Sequence, residues 1–186
     1  MITTTTTRSS FLSVEPQNSI PIPDLKKGIE DEMKGDCAKY VNQLLDAVAK
    51  NTRVDRSKLT LSDIFSQSKL NILPPRGRPG SIRIGGGEAT GSISAGTATI
   101  NIYQMYQSVF DLQHLYVLQA FHETIHLSAS SGAYTDEQLA NAAFGLLTPE
   151  EQKKNKLPNP PANASAYDRA DAFSHYWDGL LTTHCK

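Results

Sequence analysis

Two histidines four positions apart, with a glutamate directly after the first, form the most chemically distinctive stretch of the chain, His122-Glu123-x-x-His126. Residues four apart on an α-helix lie on the same face, so both imidazoles can point at one metal ion. Glu123 lies roughly 100° round the helix from His122, beside that ion but outside its ligand set. The spacing therefore predicts a zinc site in which Glu123 takes a proton from a zinc-bound water.

The sequence around the motif predicts a buried helix. Residues 111–119 contain neither glycine nor proline and lead directly into the motif. Leu115 and Leu118 share the face of the two histidines and other apolar residues lie opposite, which is typical of a helix buried on most sides. The alternative is a metal-free helix with one histidine satisfied in the core and Glu123 at the surface. Burying two imidazoles and a carboxylate without pairing or a metal is unfavourable, which favours the zinc site.

Length and composition narrow the class of protein. The 186 residues are enough for one domain with a sizeable core. The net charge of -1 gives no electrostatic reason to expect a nucleic-acid or membrane partner, and no apolar run approaches the length of a membrane span. Residues 1–12 lack the basic start and continuous apolar core of a signal peptide. Cys37 and Cys185 form either one disulfide, as in an oxidising compartment, or two unrelated thiols.

Apolar periodicity and capping residues predict several helices besides the one that carries the motif. Threonine- and proline-rich residues 1–25 are expected to be an irregular segment, followed by a single domain over residues 26–186. The predicted helices cover residues 31–51, 59–68 and 165–181, and two more begin at Thr135 and Thr148.

A change of apolar period to two predicts a β-meander before the motif. Its strands are placed at residues 81–84, 89–94 and 98–103, with a turn at the glycine cluster of residues 85–87. The cluster does not indicate a nucleotide site, because no Lys-Ser or Lys-Thr follows and no helix opens after it. The expected fold class is therefore α+β, with a small antiparallel or mixed sheet packed on the motif helix and flanking helices.

A small sheet followed by a helix that carries His122-Glu123-x-x-His126 resembles the zincin metallopeptidases. The resemblance implies one zinc ion per chain and a protein or peptide substrate. It also implies that the strand at 98–103, or the strand beside it, binds substrate by strand addition. The alternative for this strand is an ordinary place in the sheet.

A catalytic zinc ion needs a third protein ligand and one open position. The metzincin pattern would need glycine at 129 and histidine or aspartate at 132, where this chain has Ala129 and Gly132. A gluzincin would place a glutamate near position 145, and none is there. The segment from Gly132 to Asp136 is similar to the aspzincins, the deuterolysin-like branch, in which a glycine-containing turn delivers an aspartate. This resemblance implies Asp136 as third ligand, although the tyrosine that usually follows that aspartate is missing.

Asp136 also has a purely structural explanation. Thr135 and Gln138 are spaced as a capping box, and acidic residues suit the first turn of a helix. Glu137 is the next candidate ligand, but it points elsewhere on the same helix.

Zincins often use a tyrosine or histidine to donate a hydrogen bond to the developing oxyanion. Tyr167, His175 and Tyr176 on the last predicted helix are the candidates, and the alternative is that they pack in the core. The expected catalytic residues are thus Glu123, Tyr167 and His175.

Three functions remain open. The first is a zinc metalloendopeptidase. The second is the same module delivered as a toxin or effector against one protein, with an inhibitor or immunity protein as partner. The third is a non-catalytic zinc-binding domain, which needs a fourth protein ligand such as His175. The first two favour a protein secreted or delivered outside the producing cell over a cytoplasmic one.

Overall fold

The computed structural model describes residues 22–74, 86–104 and 112–185. Within them the fold is α+β, as the sequence predicts, and a small mixed sheet packs against the helix that carries the motif, α4. The elements are α1 (Ile22–Glu32), α2 (Gly35–Thr52), α3 (Leu61–Gln67), β1 (Lys69–Leu73), β2 (Gly87–Thr90), β3 (Thr99–Tyr103), α4 (Leu112–His126), α5 (Asp136–Leu146), α6 (Pro149–Lys154) and α7 (Ala166–His184).

Helix α4 is buried along its second half, and this confirms the prediction of a buried helix. Every residue from Ala120 to Ala129 is buried. Helices α1 and α3 contact α4, as do strands β2 and β3. Phe121 and Ile125 are fully buried, and burial of each such side chain stabilises the fold by about 1.5–3 kcal/mol. The motif is therefore held in the interior by apolar contacts made on either side of it.

The sheet has the strand order β1-β3-β2, with β1 parallel and β2 antiparallel to β3. The sequence does not predict β1, because the strand follows α3 almost directly and the adjacent apolar pair Ile72-Leu73 interrupts the alternation that marks a strand. Strand β2 begins at Gly87 and ends at Thr90, where the predicted strand covers 89–94, since Gly91 takes a positive φ of 84° and turns the chain. The predicted strand at 81–84 lies outside the described residues.

Strand β3 is the central strand of the sheet, so the prediction that residues 98–103 bind substrate by strand addition is wrong for this strand. Its backbone is hydrogen-bonded to β1 on one edge and to β2 on the other. Ile100 and Ile102 on its inner face are fully buried. Within the described residues, β2 pairs with β3 on one edge only, which leaves the adjacent strand as the candidate.

A second group of helices, α2, α5 and α7, packs together. Residues at intervals of four on α7, namely Phe173, Trp177 and Leu181, are buried in this group. A disulfide between Cys37 on α2 and Cys185 at the C-terminal end of α7 joins two of these helices, so the first of the two alternatives for the cysteines is the one observed. Among the described helices, none combines the length and the apolar character that crossing a bilayer requires.

Helix boundaries differ from the predicted ones near the N-terminus. Helix α1 begins at Ile22, inside the stretch 1–25 that was expected to be irregular, and it buries Leu25 and Ile29. Proline is tolerated in the first turn of a helix because its missing N–H has no intrahelical partner there, so Pro23 does not prevent this start. The next helix begins at Gly35, where the sequence placed its start at 31.

Gly28 lies at a close contact between α1 and α4. A Cβ atom added there would lie 2.7 Å from Val117 Cγ1, inside van der Waals contact, and Val117 is itself buried. We expect Gly28→Ala to lower the free energy of unfolding by about 1–3 kcal/mol through overpacking. Without this contact, alanine would stabilise the helix instead.

The matched control is Gly179→Ala in α7, where an added Cβ meets no atom within 4 Å. Its expected effect is a gain of about 0.5–1 kcal/mol. Chemical denaturation followed by circular dichroism measures both variants. A Gly28→Ala variant as stable as Gly179→Ala, or more stable, would contradict the close packing of α1 on α4.

Candidate metal centre

The two histidines of the motif face each other from successive turns of α4. The distance between His122 Nε2 and His126 Nε2 is 3.0 Å, and both side chains are buried. Together with Glu123 they form a group whose potential ligand atoms all lie within 4.8 Å of one another. The predicted clustering of these three residues is therefore present, and the group could hold a metal ion.

The other nitrogen of each ring is held by a hydrogen-bond acceptor. His122 Nδ1 lies 2.7 Å from the Asp178 carboxylate, and His126 Nδ1 lies 2.6 Å from the backbone carbonyl of Tyr134. A carbonyl and an ionised carboxylate only accept, so each Nδ1 carries a proton, and in the neutral ring Nε2 then presents a lone pair. At 3.0 Å the two Nε2 atoms are close enough to share a proton when one ring is charged. With both rings neutral, the two lone pairs instead face a common point at which a cation fits.

Glu123 lies beside the two imidazoles. Its Oε1 is 3.9 Å from His122 Nε2, and its side chain is buried. Gly87, the first residue of β2, packs directly on the carboxylate, because a Cβ at position 87 would overlap Oε1, Cγ and Cδ of Glu123. The absence of a side chain at Gly87 is therefore what gives the carboxylate its place between the helix and the sheet.

Asp136 reaches the same point from the start of α5. Its Oδ1 lies 3.4 Å from His126 Nε2 and 3.7 Å from His122 Nε2. The predicted capping box is present as well, with the Thr135 side chain accepting from the Gln138 backbone N–H. The structural and the metal-directed explanations of Asp136 are therefore compatible.

The loop between α4 and α5 is fixed by hydrogen bonds at both of its ends. Tyr134 donates its backbone N–H to the His126 carbonyl and its hydroxyl to the Val54 carbonyl, at 2.8 and 2.9 Å. Ser57 donates its backbone N–H to the Ser128 carbonyl at 2.6 Å. These bonds determine where Asp136 begins its helix relative to the histidines.

The charges of the site favour a positive occupant. Burial would lower the pKa of His122, but the neighbouring carboxylates, with Asp178 first, outweigh burial and hold that pKa well above its usual value. Burial would raise the pKa of Asp136, but hydrogen bonds from the two imidazoles outweigh it and keep the carboxyl ionised. Burial raises the pKa of Glu123. Three carboxyl groups thus surround two imidazoles, and protonation of His122 or a bound cation balances the negative charge among them.

Trp177 and Asp178 are contacts of the site that sequence reasoning missed. The Trp177 ring stacks on the His122 ring with centroids 4.2 Å apart, and its Nε1–H donates to Asp136 Oδ1 at 3.0 Å. The only signal in the sequence is general, namely that a buried tryptophan needs an acceptor for its N–H. That rule does not identify the acceptor, and nothing marks Asp178 among the other acidic residues of α7.

Tyr167 and His175 lie on α7 but are not brought into contact with the histidine pair. Tyr167 is in the first turn and 50% exposed, about 15 Å along the helix axis from Trp177. The His175 side chain is 79% exposed, with Nε2 3.6 Å from Asp171. Tyr176 donates its hydroxyl to the Asn155 carbonyl. The oxyanion-stabilising role of Tyr167 and His175 stays a prediction.

Comparison of the chain with protein-family models, with curated proteins and with solved structures finds no match.

The histidine pair predicts a metal stoichiometry. We expect about one zinc ion per chain in the wild type and close to none in His122→Ala or His126→Ala, because each variant removes a ligand. His114→Ala is the matched control, since His114 lies on the same helix two turns earlier and is exposed. Elemental analysis after dialysis measures the content. A wild type that takes up no added zinc would contradict the metal centre.

Proposed function

We propose that this chain is a zinc-dependent metalloendopeptidase of the aspzincin type. The observation that carries the proposal is the buried His122-Glu123-His126 group, with two Nε2 atoms facing each other and a carboxylate beside them. Two inward-facing imidazoles and an adjacent carboxylate are the side chains that metal-assisted hydrolysis uses. The ligands proposed for zinc are His122, His126 and Asp136.

The distances among these three ligands agree with zinc coordination. Tetrahedral zinc with bonds of about 2.0–2.1 Å separates its ligand atoms by about 3.3–3.4 Å. The corresponding separations here are 3.0 Å between the two imidazoles and 3.4 and 3.7 Å from these to Asp136 Oδ1. Glu123 lies further out at 3.9 Å from His122 Nε2, which suits a base better than a ligand.

An open coordination position is what distinguishes a catalytic from a structural zinc site. In the part of the chain that the structure describes, the carboxylates grouped around the two imidazoles are those of Glu123, Asp136 and Asp178. Asp178 approaches His122 from the Nδ1 side, away from the facing Nε2 atoms. His175, the fourth ligand that a closed site would need, is largely exposed and pairs with Asp171. These positions favour the enzyme over the non-catalytic domain.

The chemistry that the residues perform follows from their placement. A bound zinc ion supplies Lewis acidity towards water and the scissile carbonyl. Glu123 accepts a proton from the attacking water while the water oxygen forms a bond to the carbonyl carbon. When the carbon–nitrogen bond breaks, Glu123 returns this proton to the leaving amine nitrogen. The raised pKa of the buried Glu123 carboxyl is in keeping with both transfers.

Strand β2 is the proposed docking edge for substrate. Gly87 on this strand touches the Glu123 carboxylate, and β2 pairs with β3 on its other side. An extended peptide that adds to this edge would bring its backbone alongside the base, and strand addition recognises main-chain groups. A protein or peptide is therefore the proposed substrate. The Cys37–Cys185 disulfide supports a site of action outside the reducing cytoplasm.

Asp136→Ala tests the third ligand. We expect this variant to lose most of its zinc, because a site with two protein ligands binds zinc much more weakly than one with three. Glu137→Ala is the matched control, since Glu137 is adjacent and exposed. Zinc content by elemental analysis, measured on both variants and the wild type, decides the matter. Full retention of zinc in Asp136→Ala would place the third ligand elsewhere.

Glu123→Gln tests the base. The amide has nearly the shape of the carboxylate but cannot accept the proton, so zinc content should stay at the wild-type level while peptide hydrolysis falls by about 10²–10⁴-fold. Cleavage of unstructured peptides, followed by mass spectrometry, gives the rate. Glu137→Gln should cleave like the wild type. Undiminished hydrolysis in Glu123→Gln would defeat the proposed mechanism.

A further inference from the structure

Two consecutive residues of α7 contact the proposed metal ligands without being ligands themselves. Trp177 is fully buried, stacks on His122 with an interplanar angle of 27°, and meets the His126 ring edge-on. Asp178 bonds to His122 Nδ1. Between them they therefore touch both imidazoles, and through the indole N–H they also touch Asp136.

We infer that Trp177 and Asp178 act together as the positioning pair of the metal centre. The pair sets the orientation of two of the three proposed ligands, His122 on α4 and Asp136 on α5. This inference rests on the metal centre of the proposed function and is independent of the peptidase step.

Asp178 orients His122 through one hydrogen bond. By accepting the Nδ1 proton it selects the tautomer that leaves Nε2 free, and it raises the basicity of the ring. The bond length of 2.7 Å is that of a charge-assisted hydrogen bond. The Nδ1 proton of His126 is accepted by a backbone carbonyl instead. Asp178 is therefore the only one of these two acceptors that belongs to a side chain, and the orientation of His122 towards His126 depends on it.

Trp177 orients both ligands at once. Its ring lies against the His122 ring and limits rotation of the imidazole about χ2. Its N–H holds Asp136 Oδ1, the carboxylate oxygen that lies nearest the two Nε2 atoms. A carboxylate oxygen has more than one lone pair, so Oδ1 can accept this hydrogen bond and still face an ion. Without the indole N–H, nothing on α7 would hold the Asp136 carboxylate towards the two imidazoles.

The position of the pair on α7 follows from the packing of that helix. Phe173, Trp177 and Leu181 face the core at intervals of one turn. Asp178 is the next residue round the helix from Trp177, at the rim of this buried face, with its side chain 40% exposed. Core packing thus places the indole, and the turn of the helix then brings the carboxylate to His122.

The test compares Asp178→Asn and Trp177→Phe with the wild type in the full chain, with Asp171→Asn as the matched control on the same helix. Zinc affinity is measured by competition with a chromophoric chelator. We expect about 10–100-fold weaker binding in Asp178→Asn, as for other residues that orient a ligand. In Trp177→Phe, loss of one hydrogen bond to a charged acceptor should weaken zinc binding about tenfold. Asp171→Asn should equal the wild type.

Cobalt substitution provides a readout that a merely structural role would not move. The visible absorption of Co²⁺ depends on its ligand geometry, so Asp178→Asn and Trp177→Phe should each change that spectrum, and Asp171→Asn should not. Trp177 is also the single tryptophan of the chain. Its fluorescence in the wild type should therefore be quenched by Co²⁺ and saturate with the same affinity that the competition gives.

Each outcome has one meaning. Asp178→Asn with the affinity and cobalt spectrum of Asp171→Asn would overturn the positioning pair. If Trp177→Phe does not fold, as judged by circular dichroism, the comparison of Asp178→Asn with Asp171→Asn still decides. A wild type that binds no zinc overturns the metal centre and this inference together. A wild type that binds zinc but cleaves no peptide overturns the peptidase and leaves the positioning pair standing.

Discussion

Two imidazole nitrogens face each other at 3.0 Å in the interior of this protein, where they can share a proton or hold a cation. The surrounding structure maintains this arrangement. The helical spacing of α4 fixes the two backbone positions, and acceptors on the far side of each ring fix the tautomers. These acceptors come from the α4–α5 loop and from α7, which are separate parts of the chain. Because the site is assembled in advance, an arriving ion would meet oriented ligands and little ordering would remain to be done.

Burial gives this electrostatic arrangement its strength. Interactions between charges are stronger where water is excluded, so the carboxylates around the imidazoles act with greater effect than they would at the surface. Close approach of α1 and of β2 to α4 excludes the water, and at both contacts the approaching residue is a glycine. Gly28 lets α1 pack on Val117, and Gly87 lets β2 pack on Glu123. The apolar core and the polar site are thus parts of one packing arrangement around α4.

Features that depend on neighbours in sequence could be predicted, and features that depend on distant pairing could not. The motif, the buried helix and the capping box at Thr135 follow from spacings of three and four residues, and the structure has them. Strand β1 is stabilised by its parallel pairing with β3, some thirty residues away, and its own sequence lacks the clear alternation that marks β3. The same limit applies to Asp178, which meets His122 across 56 positions. The central place of β3 depends likewise on both of its partners.

The disulfide between Cys37 and Cys185 matters for the unfolded protein as well as for the folded one. It joins residues 148 positions apart, and every residue of the metal centre lies between them. An oxidised chain that has lost its structure therefore still contains a closed loop that carries all of those residues. By the chain-entropy relation, closing a ring of that length removes about 5 kcal/mol of conformational freedom from the denatured ensemble. Recovery after heating or denaturant thus begins from a confined search, in which α2 and α7 have no need to find each other by diffusion.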